Sequence, residues 1–474
     1  MPDSSFTTKL SAEVIGLATS AVLTPNSVEA AKLSILDTLG VVLAGAACDD
    51  ARPTLEMVVA ERSAPQEATV WGTGVRVPTY RAALANGVAG HVMDYDDTSP
   101  YGGGHHGSIV VPVALAVGEA ERATSAELLA AVICGYQVAG EVGRHFKGRY
   151  SISGSATCGL FGGVAAAARL MSVTPDVADN ALRIAASFVS STEQYLVGGG
   201  DHKFLQHGWA AQSAIHAASL ARHGAIGARQ ALEGEFGVWQ TFVSGFARPE
   251  SLLEDDLWQV RSVEMPAVKT TPACHGILPY IPLWSEIKND LNQDGLSAED
   301  ITDITCLADA GTARYMLDPI ELKRVPESLH QARFSLPWCL GKLAFDGQLD
   351  ISSFTAETLT NDWILKFASM VGWELAPLAK DEGFLRGGLR VAVKDGRSYE
   401  RLITVVEGDD LYTIDAEQVT SKFMKAGASV GSPRQLQAIA DKIWTLDADA
   451  DTDAFFKMLG ELRGARIDQP LRTS

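Results

Sequence analysis

Three carboxylates, a hydroxyl and two imidazoles fall within thirteen consecutive positions of this chain, and apolar, small-residue segments flank them on both sides. Asp94-Tyr95-Asp96-Asp97-Thr98 is followed seven residues later by His105-His106. Residues 82–92 before and 109–117 after are almost wholly Ala, Gly, Val, Leu and Ile. Glycines 102–104 let the backbone turn tightly between the two polar groups. Polar side chains carried between two buried segments must be hydrogen-bonded or must act on something. The expectation is one wall of an active site. The plainer alternative is a solvated loop with a capping Asp.

The chain has 474 residues, 46% hydrophobic and 20% charged, enough for two or three domains at roughly 150 residues each. Its net charge of −19 argues against nucleic acid, which wants a basic face. A small anionic substrate remains compatible, because a cationic pocket can sit in an acidic protein. The cysteines at 48, 134, 158, 274, 306 and 339 form no CxxC pair. They read as reduced, structural thiols rather than zinc or iron–sulfur ligands. No apolar run reaches the ~18 residues of a membrane span, and residues 1–9 are polar, so a cytoplasmic enzyme with no membrane partner is expected.

Along the chain, residues 10–24 and 28–44 read as helices separated by Thr24-Pro25-Asn26-Ser27, with Asn26 or Ser27 as cap. Asp37 inside the second is expected to face solvent. Residues 68–78 read as a short extended segment. Residues 80–92, 110–123 and 126–146 read as helices, the last with Gly135, Gly140 and Gly143 for close packing. Residues 151–159 form a small-residue turn feeding a helix over 160–171, and 177–190 is helical after Pro175. Lys203 is expected in a Gly-rich loop, aimed into a pocket, before the helix 208–224. Residues 300–309 alternate as a strand, and 390–406 read as a hairpin turning on Asp395-Gly396. Helices are expected over 332–345 and 356–371, and again from 433 to 463. The fold class is therefore mainly α with a second α+β domain. Its boundaries are 1–268 for the first helical part, 269–410 for the α+β domain, and 411–474 for the C-terminal helices.

In order, Asp94-Tyr-Asp-Asp-Thr98, His105 with Pro112, Gly159-Leu-Phe-Gly-Gly-Val-Ala-Ala-Ala-Ala168, Lys203 with His207-Gly-Trp-Ala-Ala211, Leu232-Glu-Gly-Glu-Phe-Gly237, Pro272-Ala-Cys-His275 and Ala332-Arg-Phe-Ser-Leu-Pro-Trp338 with Asp346-Gly347 resemble the MmgE/PrpD family. That family contains 2-methylcitrate dehydratases, cis-aconitate decarboxylases and an iminodisuccinate epimerase. The resemblance runs from about residue 8 to 465. It implies a large all-helical domain built from both chain ends, a smaller α+β lid, a pocket between them, no metal or other cofactor, and a homodimer. It carries over Asp94, Thr98, His105, Lys203 and His275, together with Lys269. Asp97 and Trp338 complete the expected substrate contacts. Ser153-Gly154 stands where relatives carry His-Pro, Trp338 where they carry Tyr, and His106 where a proline follows the motif histidine.

The chemistry expected is elimination on a di- or tricarboxylate, most simply dehydration of a 2-methylcitrate-like hydroxy acid. That needs a base, an acid and cations for the carboxylates. His105 is the candidate for proton transfer, with His106 the alternative, and Asp94 orients it or shares the proton. Lys203 and Lys269 hold carboxylates, Thr98 hydrogen-bonds one, and His275 is a second acid–base or anion contact. A decarboxylase would use the same cationic grip, and an epimerase would set a base on each face of one carbon. A non-catalytic carboxylate-binding protein is the remaining alternative. The neighbouring Cys274 reads as structural rather than nucleophilic.

Overall fold

The computed structural model describes residues 5–61, 65–146, 152–244, 246, 250–265, 267–376, 385–405, 414–447 and 451–467. Ser151, Pro266, Val406 and the expected boundary at 410 lie outside them.

The chain opens with short helical turns and then the long helix α1 (Pro25–Ala46). Thr24 caps α1 by accepting from the Ser27 amide, and Pro25 occupies its first turn, so the cap lies earlier than the expected Asn26 or Ser27. The expected helix over 10–24 is interrupted after Ile15 and resumes only as one turn, Thr19–Val22. A small hairpin, β1 (Ala68–Val70) and β2 (Val75–Val77), precedes α2 (Thr79–His91). Next come α3 (Gly107–Glu121), α4 (Ser125–Arg144), α5 (Gly154–Leu170), α6 (Pro175–Ala185) and α7 (His202–Arg222). Helix α5 begins earlier than expected because Ser153 caps it by accepting from the Ala156 amide. Lys203 lies in the first turn of α7 rather than in the preceding loop.

Small residues let these helices touch backbone to backbone. A Cβ on Gly208 of α7 would come within 2.4 Å of the Leu84 carbonyl oxygen of α2. On Gly143 it would meet the Gly102 carbonyl oxygen at 2.1 Å, pinning the turn of the polar cluster. In that turn Gly103 and Gly104 take φ of +67° and +106°, which only glycine adopts without cost.

The second unit begins with α8 (Tyr280–Gln293) and β3 (Ile301–Ala308), followed by α9 (Leu336–Asp346) and α10 (Asp362–Ser369). Strands β4 (Val371–Leu375), β5 (Leu385–Val393) and β6 (Ser398–Val405) complete a sheet of order β4-β3-β5-β6. β4 runs parallel to β3, and the other pairs are antiparallel. The hairpin turns on Asp395-Gly396, where Gly396 has φ +91°. β4 had no separate signal: the sequence over 356–371 reads as one helix, but it is one turn, Ala356–Leu359, and then α10 after the Asn361 cap, which stops at Ser369 where the chain turns into the sheet. Three C-terminal helices, α11 (Ala416–Gly427), α12 (Pro433–Trp444) and α13 (Asp453–Glu461), return to the first unit.

Two cores result. One joins residues between Phe6 and Val263 with Val419, Phe423, Leu436, Phe455 and others from the C-terminal helices. The other packs Trp284, Ile287, Trp338 and Phe367 against Ile304, Cys306, Leu389 and Val391 of the sheet. Among the described residues no helix is long and apolar enough to cross a membrane.

One ion pair ties the C-terminal return to the polar cluster. Asp37 does not face solvent; it is buried in α1, and its Oδ1 lies 2.6 Å from the Lys422 ammonium of α11. Lys422 also donates to the Tyr95 carbonyl at 2.8 Å and lies 3.9 Å over the Tyr95 ring. Lys422→Met would leave Asp37 buried without its counter-ion, an expected loss of about 3–5 kcal/mol in denaturant unfolding. Adding Asp37→Leu in the same chain is expected to recover most of it. If the single variant is as stable as wild type, the pair does not tether this segment.

Candidate active site

Asp94 is held at the end of α2 with φ +51°, a left-handed conformation that Asp tolerates better than most residues but at a cost on the order of 1 kcal/mol. The surrounding contacts maintain it. Asp94 Oδ1 accepts from Lys203 Nζ at 2.5 Å, and Oδ2 accepts from Lys269 Nζ at 2.9 Å. Lys269 donates as well to the Asp94 carbonyl, at 2.7 Å. Lys269 is fully buried, and Lys203 nearly so. Burial alone would raise the Asp94 carboxyl, but the two ammonium groups outweigh it and hold it well below the usual carboxylate range.

The histidines stack beside this clamp. His91 Nδ1 lies 2.9 Å from each oxygen of Asp96, so it donates there, and Nε2 accepts from the Lys203 ammonium. The His207 ring lies face to face with His91, centroids 3.4 Å apart. Ser108 donates to Asp96 Oδ2 at 2.6 Å and accepts from His207 Nδ1 at 2.8 Å. Burial pushes both His91 and His207 well below the usual imidazole value, helped by Lys203 and Lys269 at His91 and by the stacked His91 at His207, so both are neutral near pH 7.

His105 has one nitrogen committed and one turned to the clamp. Nδ1 donates to the Asp97 carbonyl at 2.8 Å, since a carbonyl can only accept. That fixes the tautomer and leaves the Nε2 lone pair 3.8 Å from Asp94 Oδ1, on a side chain 12% exposed. Burial, then Lys269 and Lys203, hold its pKa well down against the opposing pull of Asp96. With only the protein's own charges around it, His105 is a neutral imidazole with an available lone pair. His106 differs: its ring is fully buried, edge-on to Tyr136, and burial lowers its pKa to about 4. The geometry thus separates the adjacent pair, His105 toward the lysines and His106 into the core.

From the other side, Thr98 pairs with Ala267 as an isolated antiparallel bridge, and its Oγ1 lies 2.9 Å from His275 Nδ1. Burial and Lys269 lower His275 to about 3. Asp94, Thr98, His105, Lys203, Lys269 and His275 therefore converge. The side chains of Asp97 and Trp338 do not join them. Asp97 accepts from the Tyr136 hydroxyl at 2.8 Å and from the Gly107 amide at 3.0 Å, at the start of α3. Burial, with Asp37 and Asp96, raises its pKa to about 7. Trp338 is fully buried in the second core, 5.4 Å from the Phe354 ring. Cys274 is a thiol whose pKa burial and Asp94 raise, which opposes a nucleophilic role.

Sequence reasoning passed over His91, Lys422, His330 and Arg333. His91 was detectable in principle, standing three residues before Asp94 at the end of the same apolar helix. His91, Asp94, Asp96 and His105 also offer ligand atoms within 4.8 Å of one another, a set that could hold a metal. The donor chemistry disfavours it, because two ammonium groups already supply the positive charge on Asp94 and Lys203 covers the lone pair of His91. A cation placed there would have to displace them.

The profile of the MmgE/PrpD N-terminal domain matches residues 11–250, and that of the MmgE/PrpD C-terminal domain matches residues 271–446. The cis-aconitate decarboxylase of Homo sapiens is 26% identical over 419 residues, covering 86% of this chain and 84% of that protein. The cis-aconitate decarboxylase of Aspergillus terreus is 24% identical over 459 residues, covering 91% of each. A cis-aconitate decarboxylase-like protein, oryM, of Aspergillus oryzae is 22% identical over 418 residues, 83% of this chain and 85% of that protein.

The histidine assignments have a direct readout. In long-range proton–nitrogen spectra, His91, His105 and His207 are expected as neutral rings protonated at Nδ1, with no inflection near the ordinary value of ~6.5 between pH 5 and 8. A ring of this trio that titrates there would contradict the geometry assigned to it.

Proposed function

Because the chain belongs to the MmgE/PrpD family, we propose that it is a lyase of small polycarboxylates, removing carbon dioxide from a cis-aconitate-like tricarboxylate with no cofactor beyond its own side chains. The observation that carries this reading is the double-lysine clamp on Asp94 beside the available Nε2 of His105. The names borne by the relatives favour decarboxylation over the other reactions of the family.

The chemistry follows from charge. A tricarboxylate brings several negative charges to Lys203, Lys269 and His275. Burial and then the lysines depress His105; the substrate's charges offset the lysine part and themselves attract an imidazolium, so the imidazole takes up a proton as the substrate arrives. In the reaction the carbon–carboxylate bond breaks and carbon dioxide leaves. Its electron pair becomes a new double bond, and the electrons of the old double bond take a proton at carbon. His105, protonated at Nε2 and held by the Asp97 carbonyl, is the donor, and solvent restores the proton. The lysines stabilise the charge that develops on the remaining carboxylates. Asp94 keeps both ammonium groups in place. Thr98 and His275 hold each other across the boundary between the two units.

A second reading rests on the same lone pair. A neutral His105 is also a base, and a hydroxy tricarboxylate of the 2-methylcitrate type would then lose a proton from carbon and hydroxide from its neighbour as water. The pH dependence separates the two. Decarboxylation needs protonated His105 in the complex, so its rate falls as pH rises through the substrate-bound pKa. Dehydration needs the neutral form, so its rate rises through it.

The decisive assay incubates the purified protein with cis-aconitate and with 2-methylcitrate, following carbon dioxide release and conjugated-alkene absorbance. His105→Ala is expected to lower kcat by ~10²–10⁴-fold with an unchanged melting curve. Calorimetry in buffers of different ionisation enthalpy is expected to show net proton uptake on cis-aconitate binding. Neither carbon dioxide nor absorbance change from either acid would remove the lyase reading.

A further inference from the structure

The second unit presents buried donors that the mechanism above does not use. His330 and Arg333 stand three residues apart on the short helix Leu329–Arg333, which sets them on one side of it. Arg333 is 2% exposed, and among the described residues its Nε and Nη1 have no hydrogen-bond partner. Its guanidinium lies over the Phe354 ring, 4.8 Å from the centroid, which occupies a face and leaves the donor edge free. His330 is 7% exposed, and neither ring nitrogen has a partner among the described residues. Its ring packs between Phe204 and Phe334, centroids 6.1 and 5.2 Å away.

These donors are joined to the lysine clamp. Phe334, the residue after Arg333, lies under the Lys203 ammonium at 5.1 Å, and Phe204 directly follows Lys203. The Arg333 carbonyl accepts from the Cys274 amide at 2.9 Å, one residue before His275. The charges of Asp50 and Asp94 act on Arg333, yet neither carboxylate pairs with it.

A buried guanidinium without an acceptor is costly, because desolvation is uncompensated. Folds keep such groups where a ligand supplies the missing acceptor. A planar guanidinium edge matches a carboxylate bidentately, and an imidazole N–H adds a third donor. A metal ion would be repelled there.

We infer that His330 and Arg333 form a carboxylate subsite of the second unit, gripping one substrate carboxylate that the reaction leaves in place. This rests on the polycarboxylate reading above. It assigns substrate selection to the lid and proton transfer to the helical domain, so productive binding needs both units closed on one molecule.

The test uses three unreactive acids on one carbon skeleton: tricarballylate, glutarate, which lacks the central carboxylate, and methylsuccinate, which lacks a terminal one. Their affinities are measured by calorimetry for the wild-type chain, Arg333→Gln, Arg333→Lys and His330→Phe. Arg333→Gln is expected to weaken tricarballylate about tenfold or more. It should weaken at least one of the dicarboxylates by less than about threefold, since that acid lacks the gripped group. Arg333→Lys recovers part of the loss. His330→Phe suits the aromatic surroundings and carries the test should Arg333→Gln fail to fold, with the same selectivity at about threefold. An equal penalty on all three acids, or none, overturns the subsite while leaving the polycarboxylate reading intact. A wild-type chain that binds none of them overturns both.

Discussion

Asp94 between Lys203 and Lys269 is the interaction on which the rest of the site depends. It joins three distant parts of the chain: the end of α2, the first turn of α7 and the crossing segment that leads into the second unit. Each ammonium is buried, and each would be unsupportable without the shared carboxylate. The left-handed backbone at Asp94 is a local expense of the same arrangement, held in place by the contacts to both lysines. Burial, reinforced by the clamp, sets the state of His105, because lysines close enough to hold Asp94 also disfavour a further positive charge on the imidazole.

The polar groups behind the clamp are satisfied in layers. Asp96 accepts from His91 and Ser108, and Ser108 accepts from His207. Asp97 accepts from Tyr136 and from the amide at the start of α3. Lys422 supports Tyr95 from the C-terminal helices and pairs with Asp37. The residues from 94 to 98 are thus held jointly by α2, α3, α4, α7, α11 and the segment 267–275. Such over-determination positions His105 tightly, as proton transfer over hydrogen-bond distances requires. It also explains why both chain ends share one core: the C-terminal return supplies a cation that the first helices need.

Much of the architecture was legible because it rests on local patterns. The run from α2 through α7 follows apolar periodicity and caps, and the Asp395-Gly396 hairpin follows turn chemistry. The misreadings share a cause. Asp37 looked solvent-facing because its partner stands on α11, nearly four hundred residues away. β4 was hidden because its pairing with β3 is parallel and non-local, and Lys203 read as a loop residue because three glycines precede it. His330 carried no signal, and Arg333 lay inside the 332–338 motif without a role of its own, since an arginine there looks the same whether solvated or buried.

The sequence by itself determined most of the helical segments, which residue types could carry acid–base and anion chemistry, and the family likeness that orders them. It did so because helix periodicity and motif spacing are properties of neighbouring residues. Only the tertiary structure decided which histidine of the adjacent pair faces the lysines, that Asp97 serves a helix start while Asp94 serves the clamp, and that Trp338 packs in a separate core. Those outcomes depend on burial and on hydrogen-bond partners contributed from elsewhere in the chain. A side chain's charge state and direction are set by what surrounds it in space, which spacing along the backbone does not encode.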